Sequence, residues 1–363
     1  MPNKYQRLAA ALRTELEQHR SDQSYRLPTE MELTRSYHVS RQTVRQALSV
    51  LEKEGLIIRR QGSGTYPAAA VSAPRIAAVI LPDTRSYIYP SVLREIQSFF
   101  TAQNYSVQVF TTEYLFEKER EILLSLLKSA VSVILAKGIH TAFPNPNLDL
   151  YEKIKNQGIP LIFWGGSYLR LSDSVNVSGD GYAGGYQLAS YFIENRHHAI
   201  AGVFCKDDRD SQEKYLGCVS AMHAHKLPVR DQAFFWYDSM PCGQHKSLVR
   251  VAYPEEFLSY IISHCSAVLC HNDEAAYYLI FALRQRGVSI PGQISVAGFD
   301  NSHLSEISPV KITTMAYAQQ KPWLAAAQLL IDGAKGRKAD SQYLPWRLQK
   351  KDSDQINPDP LSL

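Results

Sequence analysis

Long apolar runs are missing from this chain: none comes near the roughly 20 residues that a membrane-spanning helix needs. The first 20 residues carry acids and a helical spacing where a secretory leader would place an uncharged apolar block, so a non-exported, cytoplasmic protein without membrane contact is expected. Cysteine is scarce and odd in number, five in 363 residues. Cys205, Cys218, Cys242, Cys265 and Cys270 form no C-x-x-C pair, which argues against a disulfide framework and against a zinc site, even where His271 follows Cys270. Catalytic signatures are lacking too. There is no nucleophile elbow and no metal-ligand spacing, and the Gly62-Ser63-Gly64 tract has no phosphate-loop Lys. No cofactor and no enzymatic role are expected.

What is present is unevenly distributed. The net charge is +4, and residues 1–70 hold 11 Lys+Arg against 7 Asp+Glu while the rest of the chain is balanced. A small basic head on a neutral body suits a polyanion-binding module joined to something else. "PAAAVSAP", Pro67 to Pro74, has only small uncharged residues between two prolines and reads as an extended linker. The expected division is a head at 1–67, a linker at 68–74 and a body at 75–363.

In the head, Tyr5, Leu8, Ala9, Leu12 and Leu16 make one apolar helix stripe. Thr29 is an N-cap for a short second helix in which Met31, Leu33 and Tyr37 are available for packing. Ser40 caps a third helix that runs toward Gly55. "LIIRR" and "GTY" read as two strands joined by a glycine turn. This order is a winged helix-turn-helix. Val44, Ala47, Leu48 and Leu51 form the buried side of the third helix, leaving Arg41, Gln42, Arg45 and Gln46 outward, the residue types that pair with guanine and adenine edges; Ser40 and Thr43 suit phosphate. Arg59, Arg60, Gln61, Gly62, Ser63 and Gly64 form a thin basic tip suited to a minor groove.

The body alternates short Val/Ile/Leu/Ala strands ("IAAVILPD", "SVQVFTT", "SVSVILAKG", "IPLIFWGG", "AIAGVFCKDD", "SAVLCHND", "ISVAGFD") with amphipathic helices, the pattern of an α/β parallel sheet buried on both faces. Ligands bind beyond the carboxyl ends of such strands. Here those ends read Pro82-Asp83, Lys137, Trp164-Gly165, Lys206-Asp207-Asp208, His271-Asn272-Asp273 and Phe299-Asp300. Carboxylates, amides and aromatic faces together suit a polyhydroxyl ligand. Asp and Asn also end strands by capping the next helix, a reading left open for Asp180 and Asp273.

"LPTEMEL" and "VSRQTVRQALSVLEKEGLIIRRQGSGTY" resemble the winged-helix head of the GntR family of bacterial transcription regulators. That resemblance implies operator contacts by Glu30, Arg41, Thr43 and Arg45, with Gly62 and Gly64 at the wing tip. Met31 stands where the family usually has Arg. The body, through "DGYAGGYQLASYFIE", "KYLG", the long segment opening "CHNDEAAYYLIF" and the closing "YLPWRLQKKDS", resembles the effector domain of the LacI family. This implies a two-lobed, periplasmic-binding-protein-like fold with the chain crossing between lobes near Val177 and Thr313 and returning to the first lobe for the helix after Ala318. It also implies hydroxyl contacts by Asp300 and by Asn272-Asp273. Lys214 falls where the family usually has a sugar-contacting Arg, and Gly165 where relatives place Asp or Asn. Tyr87, Tyr89 and Trp164 are candidate stacking walls, with core packing the alternative for Trp164.

The expected function is a repressor of carbohydrate-use genes, a homodimer on double-stranded operator DNA that lets go when a sugar enters between the lobes. The pairing of head and body resembles arabinose-responsive regulators, implying L-arabinose or a related sugar. The expected effector contacts are Tyr87, Tyr89, Lys137, Trp164, Asp208, Lys214, His271, Asn272, Asp273 and Asp300. Two alternatives are a non-catalytic sugar-binding transport protein and a regulator that senses a sugar phosphate through Lys137, Lys206 and Lys214.

Overall fold

The computed structural model describes residues 3–18, 25–60, 64–67, 75–85, 87–171, 173–239 and 251–358. Gln61, Gly62, Ser63, the expected linker at 68–74 and Cys242 lie outside the described residues. The chain forms two compact units, Met1–Pro74 and Arg75–Leu363.

The first unit holds α1 (Lys4–Gln18), α2 (Glu30–Ser36), α3 (Arg41–Lys53) and an antiparallel pair, β1 (Ile57–Arg60) with β2 (Gly64–Pro67). Leu27 N–H joins β2 by donating to the Thr65 carbonyl at 2.9 Å. The apolar stripe of α1 (Leu8, Ala9, Leu12, Leu16) meets Leu33 of α2 and Val44, Ala47, Leu48 and Leu51 of α3 in one core, closed by Leu27 and Ile57. Two expected packing residues are not in it: Met31 is 52% exposed and Tyr37 38%. A seven-residue helix turns only one narrow side to its neighbours, and Leu33 fills it.

The second unit has two sheets. The first lobe carries β3 (Arg75–Leu81), α4 (Tyr89–Ala102), β4 (Tyr105–Thr111), α5 (Phe116–Leu126), β5 (Val131–Ala136), α6 (Leu148–Asn156), β6 (Leu161–Trp164) and β7 (Val175–Gly179). The chain then enters the second lobe with α7 (Gly181–Glu194), β8 (Ile200–Cys205), α8 (Arg209–Ala224), β9 (Phe234–Tyr237), α9 (Glu255–His264), β10 (Ala267–Cys270), α10 (Asp273–Gln285), β11 (Ser295–Phe299), α11 (His303–Ile307) and β12 (Thr313–Tyr317). It returns for α12 (Pro322–Ala334) and β13 (Gln342–Leu344), and ends in the second lobe with β14 (Trp346–Gln349). The strand orders are β13-β7-β6-β5-β3-β4 and β14-β12-β11-β10-β8-β9. All pairings in them are parallel except β12 with β14.

The chain therefore passes between lobes three times, at Asp180, after Tyr317 and at Pro345. The second passage comes four residues after Thr313, which opens β12 within the second sheet, near the expected crossing and before the helix expected after Ala318; the passage at Pro345 is additional. Val177 likewise lies inside β7, and the chain leaves the first lobe three residues later. Ala325, Ala326, Ala327 and Leu330 of α12 pack on Val133, Leu135, Ile162 and Val177, so this helix belongs to the first-lobe core.

The glycines of "DGYAGGYQ" have a packing role. A Cβ on Gly185 would stand 2.0 Å from the Lys214 carbonyl oxygen, and one on Gly217 would stand 2.0 Å from that of Tyr182. Only glycine lets α7 and α8 approach backbone to backbone. That contact fixes the segment of α8 from which Lys214 projects.

Candidate functional site

The head presents a polar helix face built from its caps. Thr29 Oγ1 accepts from Glu32 N–H at 3.3 Å and Glu32 Oε2 accepts from Thr29 N–H at 2.6 Å, a reciprocal cap on α2. Ser40 Oγ accepts from Thr43 N–H at 3.2 Å at the start of α3, and the Ser40 and Thr43 hydroxyls are 2.9 Å apart. One hydroxyl donates to the other, leaving a single O–H free to reach outward. Arg41, Gln42, Arg45 and Gln46 are exposed opposite the buried stripe. Arg45 Nε donates to Glu30 at 2.9 Å; Arg59 approaches Glu30 at 3.9 Å and Glu52 at 3.3 Å. Exposed ion pairs of this kind are worth roughly 0–1 kcal/mol, so a phosphate or a base edge displaces them readily. Arg60 closes β1 and Gly64 opens β2. Arg26 packs its guanidinium against Gly64, where a Cβ would stand 2.3 Å from Nε. Sequence reasoning passed over this wing-root cation, because nothing in the spacing ties residue 26 to residue 64.

In the body, one cleft between the lobes gathers Tyr87, Tyr89, Lys137, Trp164, Asp208, Lys214, His271, Asn272 and Asp300 along its lining. Asp273 is not among the lining residues. It is fully buried, its Oδ1 accepting from Thr314 Oγ1 at 2.6 Å and its Oδ2 from Ser302 N–H at 2.7 Å. Burial, with Asp300 nearby, pushes its carboxyl up to about 8. The expected hydroxyl contact at Asp273 is thus replaced by a support under the loop that carries Asp300. Successive residues at a helix start point about 100° apart, so Asn272 and Asp273 do not share a direction. Asn272 caps α10, its Oδ1 accepting from Ala275 N–H at 2.8 Å. Asp208 caps α8 and Asp180 caps α7 in the same way.

Lys214 is on the lining with its side chain 3% exposed. Its ammonium lies 2.7 Å from Asp210, donates to the His271 carbonyl at 3.1 Å, and stands over the Phe299 ring at 4.5 Å. Burial opposes its charge, but Asp210 and Asp300 outweigh that and hold the ammonium above its usual range. His271 goes the other way: burial and the Lys214 charge push it down to about 3, leaving a neutral imidazole beside the Tyr237 hydroxyl at 3.2 Å. Lys137 donates to the Gly165 carbonyl at 2.7 Å. Gly165 has φ +66, and a Cβ there would stand 2.8 Å from Lys137 Nζ, so a side chain at this position would have to displace the end of Lys137. Trp164 is 3% exposed and belongs to the first-lobe core, with Trp323 edge-on at 5.6 Å, and its Nε1 finds no acceptor among the described residues.

Two clasps join the lobes across the cleft. Tyr87 donates its hydroxyl to Asp300 at 2.6 Å, and His140 Nδ1 meets Asp207 Oδ2 at 2.5 Å. The His140 ring is aimed by the Tyr114 carbonyl, 2.7 Å from Nε2. Asp207 also accepts from the Cys205 thiol at 2.8 Å and from the Ser239 hydroxyl at 2.6 Å. Burial works against the Asp207 charge, yet the bonds from His140, Cys205 and Ser239 prevail and hold its carboxyl well below the usual range. Thr141 adds a third contact, accepting from Arg209 N–H at 3.0 Å. Tyr87, His140 and Asp300 have φ of 51°, 47° and 92°. Non-glycine residues persist in this region when their surroundings over-determine them, as at ligand sites. Sequence reasoning missed His140, Tyr114, Tyr237 and Glu274 on the lining. His140 lies four residues beyond the end of β5, and no spacing rule pairs it with Asp207.

A family model described as bacterial regulatory proteins, gntR family, matches residues 4–66, and one described as a periplasmic binding protein-like domain matches residues 189–353. The chain is 30% identical over 321 residues to the arabinose metabolism transcriptional repressor of Geobacillus stearothermophilus, covering 87% of this chain and 86% of that protein. In structure it is similar to a periplasmic binding protein/LacI transcriptional regulator from Alkaliphilus metalliredigens complexed with D-xylulofuranose (TM-score 0.64, 20% identity, 77% of this chain and 99% of that one). It is also similar to a LacI family transcriptional regulator from Enterococcus faecium with bound ribose (TM-score 0.62, 22% identity, 78% and 100%). At these identities the two structures speak for the fold. Taken with the winged head and the interlobe cleft, the likeness along nearly the whole chain shows that this protein belongs to the family of the arabinose metabolism transcriptional repressors, gntR-headed regulators with a LacI-type, periplasmic-binding-protein-like body.

Proposed function

We propose that the sugar to which this repressor responds is an uncharged pentose, L-arabinose or a close relative, held between the lobes by Tyr87, Tyr89, Lys137, Trp164, Asp208, Lys214, His271, Asn272 and Asp300. The observation that carries this reading is the polarity of the cleft. Its lining holds five acidic side chains, Asp207, Asp208, Asp210, Glu274 and Asp300, against two lysines. Both lysines are already engaged, Lys214 by Asp210 and Lys137 by the Gly165 carbonyl. Lys206, the third cation considered for a phosphate, pairs with Asp238 at 2.8 Å and is not among the lining residues. An excess of carboxyl groups accepts hydrogen bonds from sugar hydroxyls and repels a phosphate. The arabinose-related name of the relative and the pentoses in the two similar structures agree with a five-carbon ligand.

The protein works as a homodimer, placing two α3 helices on the half-sites of a palindromic operator, with Arg41, Gln42 and Arg45 at base edges and Ser40, Thr43 and the wing residues Arg60 to Gly64 at the backbone and minor groove. Sugar favours the closed cleft and weakens operator binding; a coupling of roughly 1–3 kcal/mol gives a 5- to 150-fold loss. The test is calorimetric titration with L-arabinose, D-xylose, D-ribose, cellobiose and arabinose 5-phosphate, followed by an operator gel shift with each binder. Tighter binding of the phosphate than of any free sugar overturns the uncharged-ligand reading. A binder that leaves the DNA complex intact overturns the effector role.

A further inference from the structure

Glu119, on α5, is 1% exposed and does not line the cleft, yet its carboxyl group collects four hydrogen bonds. Oε1 accepts from the Tyr151 hydroxyl at 2.8 Å and the Tyr168 hydroxyl at 2.7 Å, and Oε2 accepts from the Nδ2 groups of Asn145 and Asn147, both at 2.8 Å. The donors come from three places: the loop after β5, helix α6, and the loop after β6. The network extends one step further. The Tyr168 hydroxyl accepts from Ile139 N–H at 3.0 Å, and Asn145 Oδ1 accepts from Asn147 N–H at 2.6 Å. The segment 137–147 is thereby pinned at Ile139, Asn145 and Asn147. Those pins bracket His140 and Thr141, which meet Asp207 and Arg209 N–H of the opposite lobe, and the first of them lies two residues beyond Lys137, which faces the cleft.

A carboxyl group is an expensive filler for a buried space that an apolar side chain would occupy at lower cost. Four neutral donors converging on one group specify a single loop geometry, which a nondirectional apolar contact does not. We infer that Glu119 is a positioning residue for effector binding, acting through the 137–147 segment to hold Lys137 toward the ligand and His140 and Thr141 toward the second lobe. This rests on the cleft being the effector site.

The experiment uses the full chain and compares Glu119→Gln with Leu123→Ala, a core truncation on the same helix that packs in the same apolar cluster as Tyr151 and Tyr168 but removes no hydrogen bond of the network and does not line the cleft. Hydrogen exchange of the ligand-free protein comes first. The 137–147 amides of the Glu119→Gln protein exchange roughly tenfold faster than those of a Leu123→Ala protein of similar thermal stability, since the amide nitrogen of Gln cannot accept from Asn145 and Asn147. In titration with L-arabinose, Glu119→Gln raises Kd roughly tenfold while Leu123→Ala leaves it within about twofold. Adding His140→Ala to Glu119→Gln costs little more than either change alone, as expected for residues acting along one path. Unchanged exchange in 137–147, equal effects of Glu119→Gln and Leu123→Ala, or fully additive losses with His140→Ala would each overturn the inference. Should Glu119→Gln not fold, Tyr168→Phe removes one donor and the acceptor of Ile139 N–H; faster exchange confined to 137–147 supports the inference and a wild-type pattern refutes it. If the wild-type protein does not bind L-arabinose, the pentose reading falls, and the exchange data still decide the role of Glu119.

Discussion

Replacing Gly185 by Ala adds one carbon at the tightest contact between α7 and α8. The new Cβ would lie 2.0 Å from the Lys214 carbonyl oxygen and 2.7 Å from its carbonyl carbon. An ordinary carbon–oxygen contact is about 3.3 Å, so the two helices must separate by about 1 Å. Both contacting atoms are backbone, so no rotamer change relieves them. Overpacking of this sort costs roughly 1–3 kcal/mol, and in a body of this size each kcal/mol lowers Tm by roughly 2–4 °C. The residue pushed is Lys214 itself, whose ammonium is held between Asp210 at 2.7 Å and the His271 carbonyl at 3.1 Å, so sugar affinity falls together with stability. Gly333, in α12, provides the opposite case: a Cβ there meets nothing within 4 Å. Gly333→Ala is expected to stabilise by roughly 0.5–1 kcal/mol through helix entropy alone and to leave sugar binding untouched. Scanning fluorimetry and calorimetric titration of both variants decide the matter. A Gly185→Ala protein that melts with the wild type and binds sugar equally well would show that the interhelical contact does not set Lys214.

Three further outcomes are expected. Arg45→Ala removes an outward side chain 68% exposed, so Tm stays close to wild type while specific operator affinity in a gel shift drops by roughly 5- to 150-fold; an unchanged affinity excludes Arg45 from base readout. Trp164→Phe deletes an Nε1 that bonds no described residue; if that donor serves the ligand, sugar affinity declines roughly 2- to 12-fold, and a loss of Tm without a loss of affinity assigns Trp164 to the core alone. The His140–Asp207 clasp makes cleft closure depend on pH. Burial lowers the His140 value, but the Asp207 bond outweighs it and the net shift is upward, so the contribution of His140 is complete below its unfolded value of about 6.5 and fades as pH rises through the raised one. Asp207 is shifted downward, so its contribution is complete above about 3.9 and fades only in strong acid. Stability measured from pH 6 to 9 should decline for the wild type relative to His140→Gln, and parallel curves would remove the clasp from the account.

The head was legible because its signals are local. Thr29 and Ser40 precede helices they cap, and the period of Val44, Ala47, Leu48 and Leu51 assigns the outward face by subtraction. The plainest of the strands read from sequence, such as β8 and β11, are buried along their whole length and show as unbroken apolar runs. β13, three largely exposed residues, has no such run, and with it the third passage between lobes was invisible. At the cleft, residue types at strand ends were readable but their directions were not. Asn272 lines the cleft and Asp273 lies beneath it, a difference set by the turn of α10. His140 with Asp207, and Glu119 with its four donors, are pairings between distant segments of unremarkable composition, which only the packed chain brings together.

The three passages between lobes also bear on how such a protein could have been assembled. The head ends in one stretch at Pro74, so a single genetic junction suffices to exchange it for another reader of DNA. Neither lobe has that property. The first needs α12 and β13 from far along the chain, and the second is interrupted by them, so grafting one lobe onto a foreign partner demands three junctions in register. Recombination should therefore shuffle heads over intact bodies, and new sugar preference should arise by point changes along the cleft.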